Sequence, residues 1–351
     1  MAMIGAFCFP DTFRRPAADR DSAIWLERIA GYGVNAIFTE AETYDDAWIE
    51  LAHSFGLRWF AGVACFSDHA NQNRAVRERP ELWPVTETGR RRRPMEWYVG
   101  ITPTYEDYAE ARLDLIARLA AQHAFDGFML DFVRWPLHWE LECRPGAQPQ
   151  QASFDPHTLQ RFQEFAGRAI SGRTAALKAA RILAEMRDRW IDFKCHVINA
   201  FVAEAVARLK AARHSLMTGL YVLPLDSAAQ EALAGQRVAD LAALVDYIAP
   251  MAYHAILHQP PEWAERIARQ AAGVAPRRTL PVLQVDSREG PPVGADWGPP
   301  IRPAEWEEVA GRVLRVPGVC GCVAFTGTAL AYEDRGDRLS RLVRTAKASF
   351  R

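Results

Sequence analysis

The stretch Phe125-Asp126-Gly127-Phe128-Met129-Leu130-Asp131-Phe132-Val133-Arg134-Trp135-Pro136 decides how the rest of this chain is read. Its apolar run reads as a buried strand that ends on an acid, and the Trp135-Pro136 step then stops the strand and turns the backbone outward. Asp131 is therefore expected at the strand's C-terminal end, with Arg134 three residues on. In a barrel of parallel strands the βα loops form the open face at that end, and chemistry is placed there.

Working outward, strand-like segments alternate with amphipathic helical stretches along the whole chain, which predicts a parallel sheet. Eight strand candidates stand at residues 3–9, 36–39, 58–65, 127–132, 215–223, 247–252, 279–286 and 319–326. Helical patterns fall at 21–30, 105–122, 187–213, 262–272 and 303–316, and Gly31, Gly56 and Gly273 are placed as C-caps. The predicted fold class is α/β: one (β/α)8 TIM barrel spanning residues 1–351, with long βα loops after strands 3 and 4. Those loops, 66–104 and 135 to about 186, are too long to be turns, and the second is expected to hold a helix over 156–168. Long ordered loops on a barrel usually build its site. Five of the eleven tryptophans, Trp83, Trp97, Trp135, Trp139 and Trp297, follow strands, which predicts aromatic faces gathered over one groove, where sugar rings stack.

Composition narrows the function classes. Apolar residues at 49% and charged residues at 24% suit a globular chain with a large core. A formal charge of −1 gives no sign of a nucleic-acid or anionic-membrane partner. The run Arg90-Arg91-Arg92-Arg93 reads as a solvated loop edge, with a contact for an acidic sugar or phosphate as the other possibility. The cysteines Cys8, Cys65, Cys143, Cys195, Cys320 and Cys322 are scattered in apolar contexts, which favours reduced thiols, and Cys320-Gly321-Cys322 has no second pair to complete a zinc site. The N-terminus has no basic region or long apolar run, and no other stretch could span a bilayer, so a cytoplasmic location is expected. Oligomeric state is not legible.

The opening stretch resembles the fourth-strand signature of glycoside-hydrolase-like (β/α)8 barrels, a group of bacterial glycosidases with the pattern F-D-G, three apolar residues, D-(F/Y)-(V/I)-R, an aromatic residue and P. It is distantly similar to the D-G-x-D-x-D-x-E strand of the family 18 chitinases. Asp126, Gly127 and Asp131 match that second pattern, but Met129 and Val133 stand where its second Asp and its proton-donating Glu would be, so a substrate-assisted mechanism does not carry over. Val245-Asp246-Tyr247-Ile248-Ala249-Pro250-Met251-Ala252-Tyr253-His254 resembles the sixth strand of both groups. The resemblance implies a glycoside hydrolase with a carbohydrate substrate and no cofactor.

Asp131 is the expected general acid, because burial beside apolar walls raises a carboxyl's proton affinity toward neutral pH. Arg134 should orient it, and Asp126 reads as a structural acid. A glycosidase needs a second carboxylate. Asp286, at the end of the seventh strand, is the favoured partner, with Glu42 and Glu40 after the second strand and Asp68 beside His69 after the third as alternatives. Substrate contacts are expected from Glu40, Asp68, His69, Trp97, Arg134, Trp135, Tyr221, Tyr253, His254, Gln284 and Trp297. Two other classes stay open. One is a catalytically silent carbohydrate-binding barrel. The other is a metal-dependent hydrolase using Asp68, His69, His254 and Asp286, although the first strand lacks a His-x-His; no metal is assigned. No G-x-G-x-x-G turn, P-loop or G-x-S-x-G elbow is present.

Overall fold

The computed structural model describes residues 2–14, 18–287 and 296–346. Eight strands, β1 (Met3–Phe7), β2 (Ala36–Phe38), β3 (Arg58–Ala64), β4 (Gly127–Asp131), β5 (Met217–Val222), β6 (Tyr247–Ala252), β7 (Val282–Gln284) and β8 (Gly321–Phe325), form a closed barrel in chain order. Every pair is parallel, and β8 closes onto β1 with Met3 opposite Gly321 and Phe7 opposite Phe325. With helices between the strands, this is the (β/α)8 barrel the alternation predicted. Several expected strand ends lie beyond the ladder. Phe132 takes a left-handed φ of 50° and so leaves the strand directly after Asp131.

The barrel interior is filled by pairing large with small side chains. Phe38 and Phe60 stack with centroids 4.6 Å apart. A Cβ at Gly5 would stand 2.4 Å from the Phe38 ring, and one at Gly127 2.2 Å from the Phe60 ring. Glycine at these two positions is what lets two phenylalanines share one layer of a closed barrel. Outside, the helices Glu106–Gln122 and Arg187–Ala212 bury Leu113, Ile116 and Leu119, and Ile198, Val202 and Leu209. Each such side chain contributes about 1.5–3 kcal/mol as an upper estimate. Among the expected C-caps, Gly56 takes φ 71° after the helix Asp46–Ser54. Gly31 instead ends the helix Ala18–Gly31, with the turn made at Gly33 (φ 93°), and Gly273 lies inside Pro261–Val274.

The two long connections are zipped together over the C-terminal end of the barrel. Thr86 bridges antiparallel to Ala152, and Phe154 N–H donates to Val85 O at 2.7 Å. The arginine run is not uniformly a solvated loop edge: Arg90, Arg91 and Arg93 are exposed, but Arg92 is 1% exposed and ion-paired to Glu142 in the other connection. Glu142 also accepts from His138 N (2.7 Å) and Gln150 N (3.1 Å). The expected helix in the second connection is Pro156–Ala166, capped by Asp155 on Thr158 N, and a second helix, Ala175–Glu185, precedes Arg187–Ala212. Among the described residues, no helix is long and apolar enough to cross a membrane.

Candidate active site

Asp131 is the last residue of β4 and pairs with Ala64 of β3. Its Oδ1 accepts from the next backbone N–H, that of Phe132, at 2.6 Å, a contact that the left-handed turn accompanies. A bulky residue in that region costs on the order of 1–3 kcal/mol, and such costs gather at functional sites. Glu40, two residues past β2, comes into hydrogen-bond contact with Asp131, so two carboxyl groups meet at the C-terminal mouth of the barrel. Burial raises the proton affinity of both, and for Glu40 the neighbouring Asp131 charge adds to it. Two carboxyls in contact in a dry site cannot both ionise readily, so the pair holds one proton above the ordinary carboxylate range. Arg134 opposes this at Asp131 from 3.9 Å, its guanidinium 2% exposed and lying 4.3 Å over the Phe132 ring.

His69 stands 3.4 Å from Glu40 Oε1, with its other ring nitrogen 3.0 Å from Ser67 Oγ. Burial, and then Arg134, hold its basicity down to about 4, so it is neutral at pH 7. The Tyr221 hydroxyl is buried without a hydrogen-bond partner among the described residues, and it senses the charges of Asp131 and Glu40.

Around the pair, strand ends supply an aromatic floor. Phe7 of β1 lies 5.2 Å from Phe325 of β8, Tyr253 stacks on Phe325 at 4.7 Å, and half-buried Trp297 stacks on it at 5.7 Å. On the other side half-buried Trp97 packs against His69 (5.2 Å) and Phe132 (6.1 Å).

Residues 34–270 match the model of a family described as "Putative glycosyl hydrolase domain". The chain belongs to this family. It is accordingly a glycoside hydrolase-like barrel, as the fourth- and sixth-strand resemblance implied. The solved structures that this glycosyl hydrolase domain resembles share its fold. The PgaB (BpsB) glycoside hydrolase domain from Bordetella bronchiseptica is 14% identical at TM-score 0.71, over 97% of this chain and 98% of that one. A beta-galactosidase from the psychrophilic Marinomonas ef1 is 12% identical at TM-score 0.69, over 99% of this chain and 60% of that one. A chitinase from Chromobacterium violaceum ATCC 12472 is 12% identical at TM-score 0.54, over 99% of both. No curated protein matches the chain in sequence.

Several expected site residues of this hydrolase domain are engaged elsewhere. Asp286, the favoured second carboxylate, has a fully buried side chain ion-paired at 2.9 Å to Arg335, itself 1% exposed, and so joins the end of β7 to the helix Arg335–Ala346. Glu42 faces outward to Arg112 (2.5 Å) and Asn71; burial opposes its ionisation, but these contacts outweigh burial and hold its carboxyl below the usual range. Asp68 accepts from Asn71 Nδ2 (2.8 Å) and Ala75 N (2.7 Å), fixing a loop. His254, 1% exposed, turns to Glu305 at 3.0 Å. Gln284 is buried, accepting from Ile256 N and donating to Trp297 O (2.8 Å), which makes it a support for Trp297 and not a surface for substrate. Among the described residues no three His, Cys, Asp or Glu side chains converge as metal ligands.

The tryptophans divide. Trp135 is fully buried between Trp190 and Phe193, donates to Lys194 O, and lies so close to Gly235 that a Cβ there would stand 2.6 Å from its ring. Trp139 is buried 5.6 Å from Tyr253, and Trp83 donates to Arg92 O. Trp83, Trp97 and Trp297 stay half-buried, Trp97 against His69 and Trp297 against Phe325. Asp126 has the structural role expected of it, accepting from Trp59 N at 2.7 Å and meeting His53 at 2.8 Å. The residues that sequence reasoning missed are Phe7, Phe325 and Glu140. The two phenylalanines could have been found as aromatic residues ending strands.

The shared proton makes a measurable prediction. Glu40 and Asp131 bind a proton more tightly folded than unfolded, so their contribution to stability is complete below the unfolded carboxyl range near pH 4 and is lost as pH rises through their raised values. Glu40→Gln keeps a hydrogen-bonding group beside Asp131 and removes Glu40's own titration, leaving that of Asp131. The variant is expected to exceed the wild type in unfolding free energy at pH 8 by about 1–3 kcal/mol, the scale of an unsatisfied buried polar group, and to lose that advantage at pH 4. Urea unfolding at the two pH values checks this; parallel pH dependences would refute the shared proton.

Proposed function

We propose that this chain hydrolyses a glycosidic bond of an oligo- or polysaccharide, with Asp131 delivering the proton of the Glu40–Asp131 pair to the leaving oxygen. The observation that carries the reading is the pair itself: two buried carboxyls in contact at the barrel's C-terminal mouth, where burial raises the proton affinity of both, beside an aromatic floor. A carboxyl whose protonated form persists toward neutral pH suits general acid catalysis. Neutral His69 and the unpartnered Tyr221 hydroxyl support the pair with groups that add no charge. The fold supports a sugar ring laid on Tyr253, Phe325 and Trp297, and Arg134 fixes the turn after β4.

A second reading rests on a specific observation. Glycosidase carboxylates stand about 5–5.5 Å apart in retaining enzymes and about 6.5–9.5 Å apart in inverting ones, whereas Glu40 and Asp131 touch. A barrel that binds carbohydrate without cleaving it fits that contact. Hydrolysis and binding measured together on one glycan panel separate the two, since turnover supports the enzyme and saturable binding without turnover supports the binder. In both readings Trp297→Ala should weaken glycan binding by about 1–3 kcal/mol, the scale of a large buried apolar contact. Intrinsic tryptophan fluorescence during titration checks it, and unchanged affinity would remove Trp297 from the groove.

The chain is read as one barrel unit acting in the cytoplasm. Its six cysteines are all free thiols, which supports a reducing compartment.

A further inference from the structure

The contact between Glu40 and Asp131 leaves the hydrolase reading short of a second carboxylate set apart from the pair, and the connection after β4 offers a candidate. Glu140 follows Trp139, whose ring packs 5.6 Å from Tyr253 beyond β6, and β6 lies across the barrel from β2, which leads to Glu40. The charge of Glu140 acts on Asp131, His69 and Tyr253, so its carboxylate lies in their neighbourhood. Its side chain is only 12% exposed, and its Oε2 is buried with no hydrogen-bond partner among the described residues. His138 Nδ1 stands 3.1 Å from it as an ion-pair partner, but out of line for a hydrogen bond. His138 is itself 1% exposed, set between the rings of Trp97 (5.2 Å) and Tyr98 (5.6 Å) with Glu96 at 3.7 Å, so it is a rigid wall that fixes where Glu140 stands. A carboxylate oxygen stripped of water and given no donor is costly, and such groups call for a function. A water between Glu140 and a sugar would supply the missing donor.

We propose that Glu140 is the second carboxylate of this site, the base that takes a proton from the water attacking the anomeric carbon. The inference rests on the hydrolase reading above. In the step, Asp131 passes the pair's proton to the glycosidic oxygen as the bond from that oxygen to the anomeric carbon breaks, and the bonding electrons stay on the oxygen. The water oxygen forms the new bond to carbon and gives one proton to Glu140. Exchange with solvent returns that proton to the pair. Water enters from the face opposite the leaving group, so the anomeric configuration inverts.

The test uses the full chain and a glycan that the panel shows it to cleave. The wild type, followed by proton NMR from the start of the reaction, should release the inverted anomer first, a readout that needs no variant. Glu140→Gln should lower kcat about 10²–10⁴-fold with KM within threefold. Glu140→Ala should regain turnover in azide and yield a glycosyl azide of inverted configuration, which restored structure alone would not give. Retained configuration in the wild-type product overturns the proposal. So does a Glu140→Gln enzyme within fivefold of wild-type kcat while Asp131→Asn is inactive, an outcome that leaves the hydrolase reading standing. A wild type that cleaves nothing in the panel overturns that reading and this inference with it.

Discussion

Asp131→Asn is expected to lower kcat on any glycan the wild type cleaves by about 10³–10⁴-fold while leaving KM and the unfolding transition nearly unchanged. Asparagine has the shape of the acid and can keep the contact from Phe132 N–H, but it cannot release a proton to a leaving oxygen. The pH profile carries the sharper content. Burial lifts both carboxyls, and Arg134 only partly offsets this at Asp131, so the protonated pair persists above the ordinary carboxylate range. Wild-type kcat/KM should therefore fall as pH rises through that raised value, on the alkaline side of the optimum, and residual turnover in Asp131→Asn should lack that fall. Retention of more than a tenth of wild-type kcat, or the same alkaline fall in the variant, would remove Asp131 from the proton-donor role. Glu40→Gln adds a check, because it takes the partner's proton out of the titration while leaving Asp131 in place.

The barrel was legible because its evidence is local and periodic. Each β-strand announced itself by an apolar run, and the count of eight alternations sufficed for closure without knowledge of any contact. Asp131 was legible for the same reason: a strand that ends on an acid before Arg134 and Trp135-Pro136 places that acid by chain geometry alone. Its partner was not. Asp286 and Glu40 both follow strands, and nothing local distinguishes them. The difference lies in what approaches from elsewhere: Arg335, from the last described helix, claims Asp286, while Glu40 is left facing Asp131. The tryptophans fail for a related reason. A connection that must stay ordered over some fifty residues needs its own core, and Trp135 and Trp139 serve as that core, whereas aromatic residues ending strands, such as Phe7 and Phe325, form the floor.

The same long-range logic makes one arginine among four neighbours the place where the loops can be undone. Arg92 lies fully buried against Glu142, and Arg90 next to it in the run is exposed. Removing one member of a buried ion pair strands the other charge without compensation, at about 3–5 kcal/mol. Arg92→Met preserves the bulk of the stem but leaves Glu142, among the described residues, with the N–H groups of His138 and Gln150. The variant is expected to lose about 3–5 kcal/mol in urea unfolding and roughly 4–7 °C in melting temperature, whereas Arg90→Met should stay within about 0.5 kcal/mol of the wild type. The loss should also reach the site. Glu142 receives His138 N–H at 2.7 Å, and His138 stands beside Glu140, so a carboxylate that relaxes toward solvent carries the wall of the groove with it. Turnover should fall in Arg92→Met even at temperatures where the chain is fully folded, with KM rising because the groove, and not the proton donor, is displaced. A cost below about 1 kcal/mol, or equal costs for the two arginines, would show that the pair is dispensable and that the two connections are held by their backbone bridge alone.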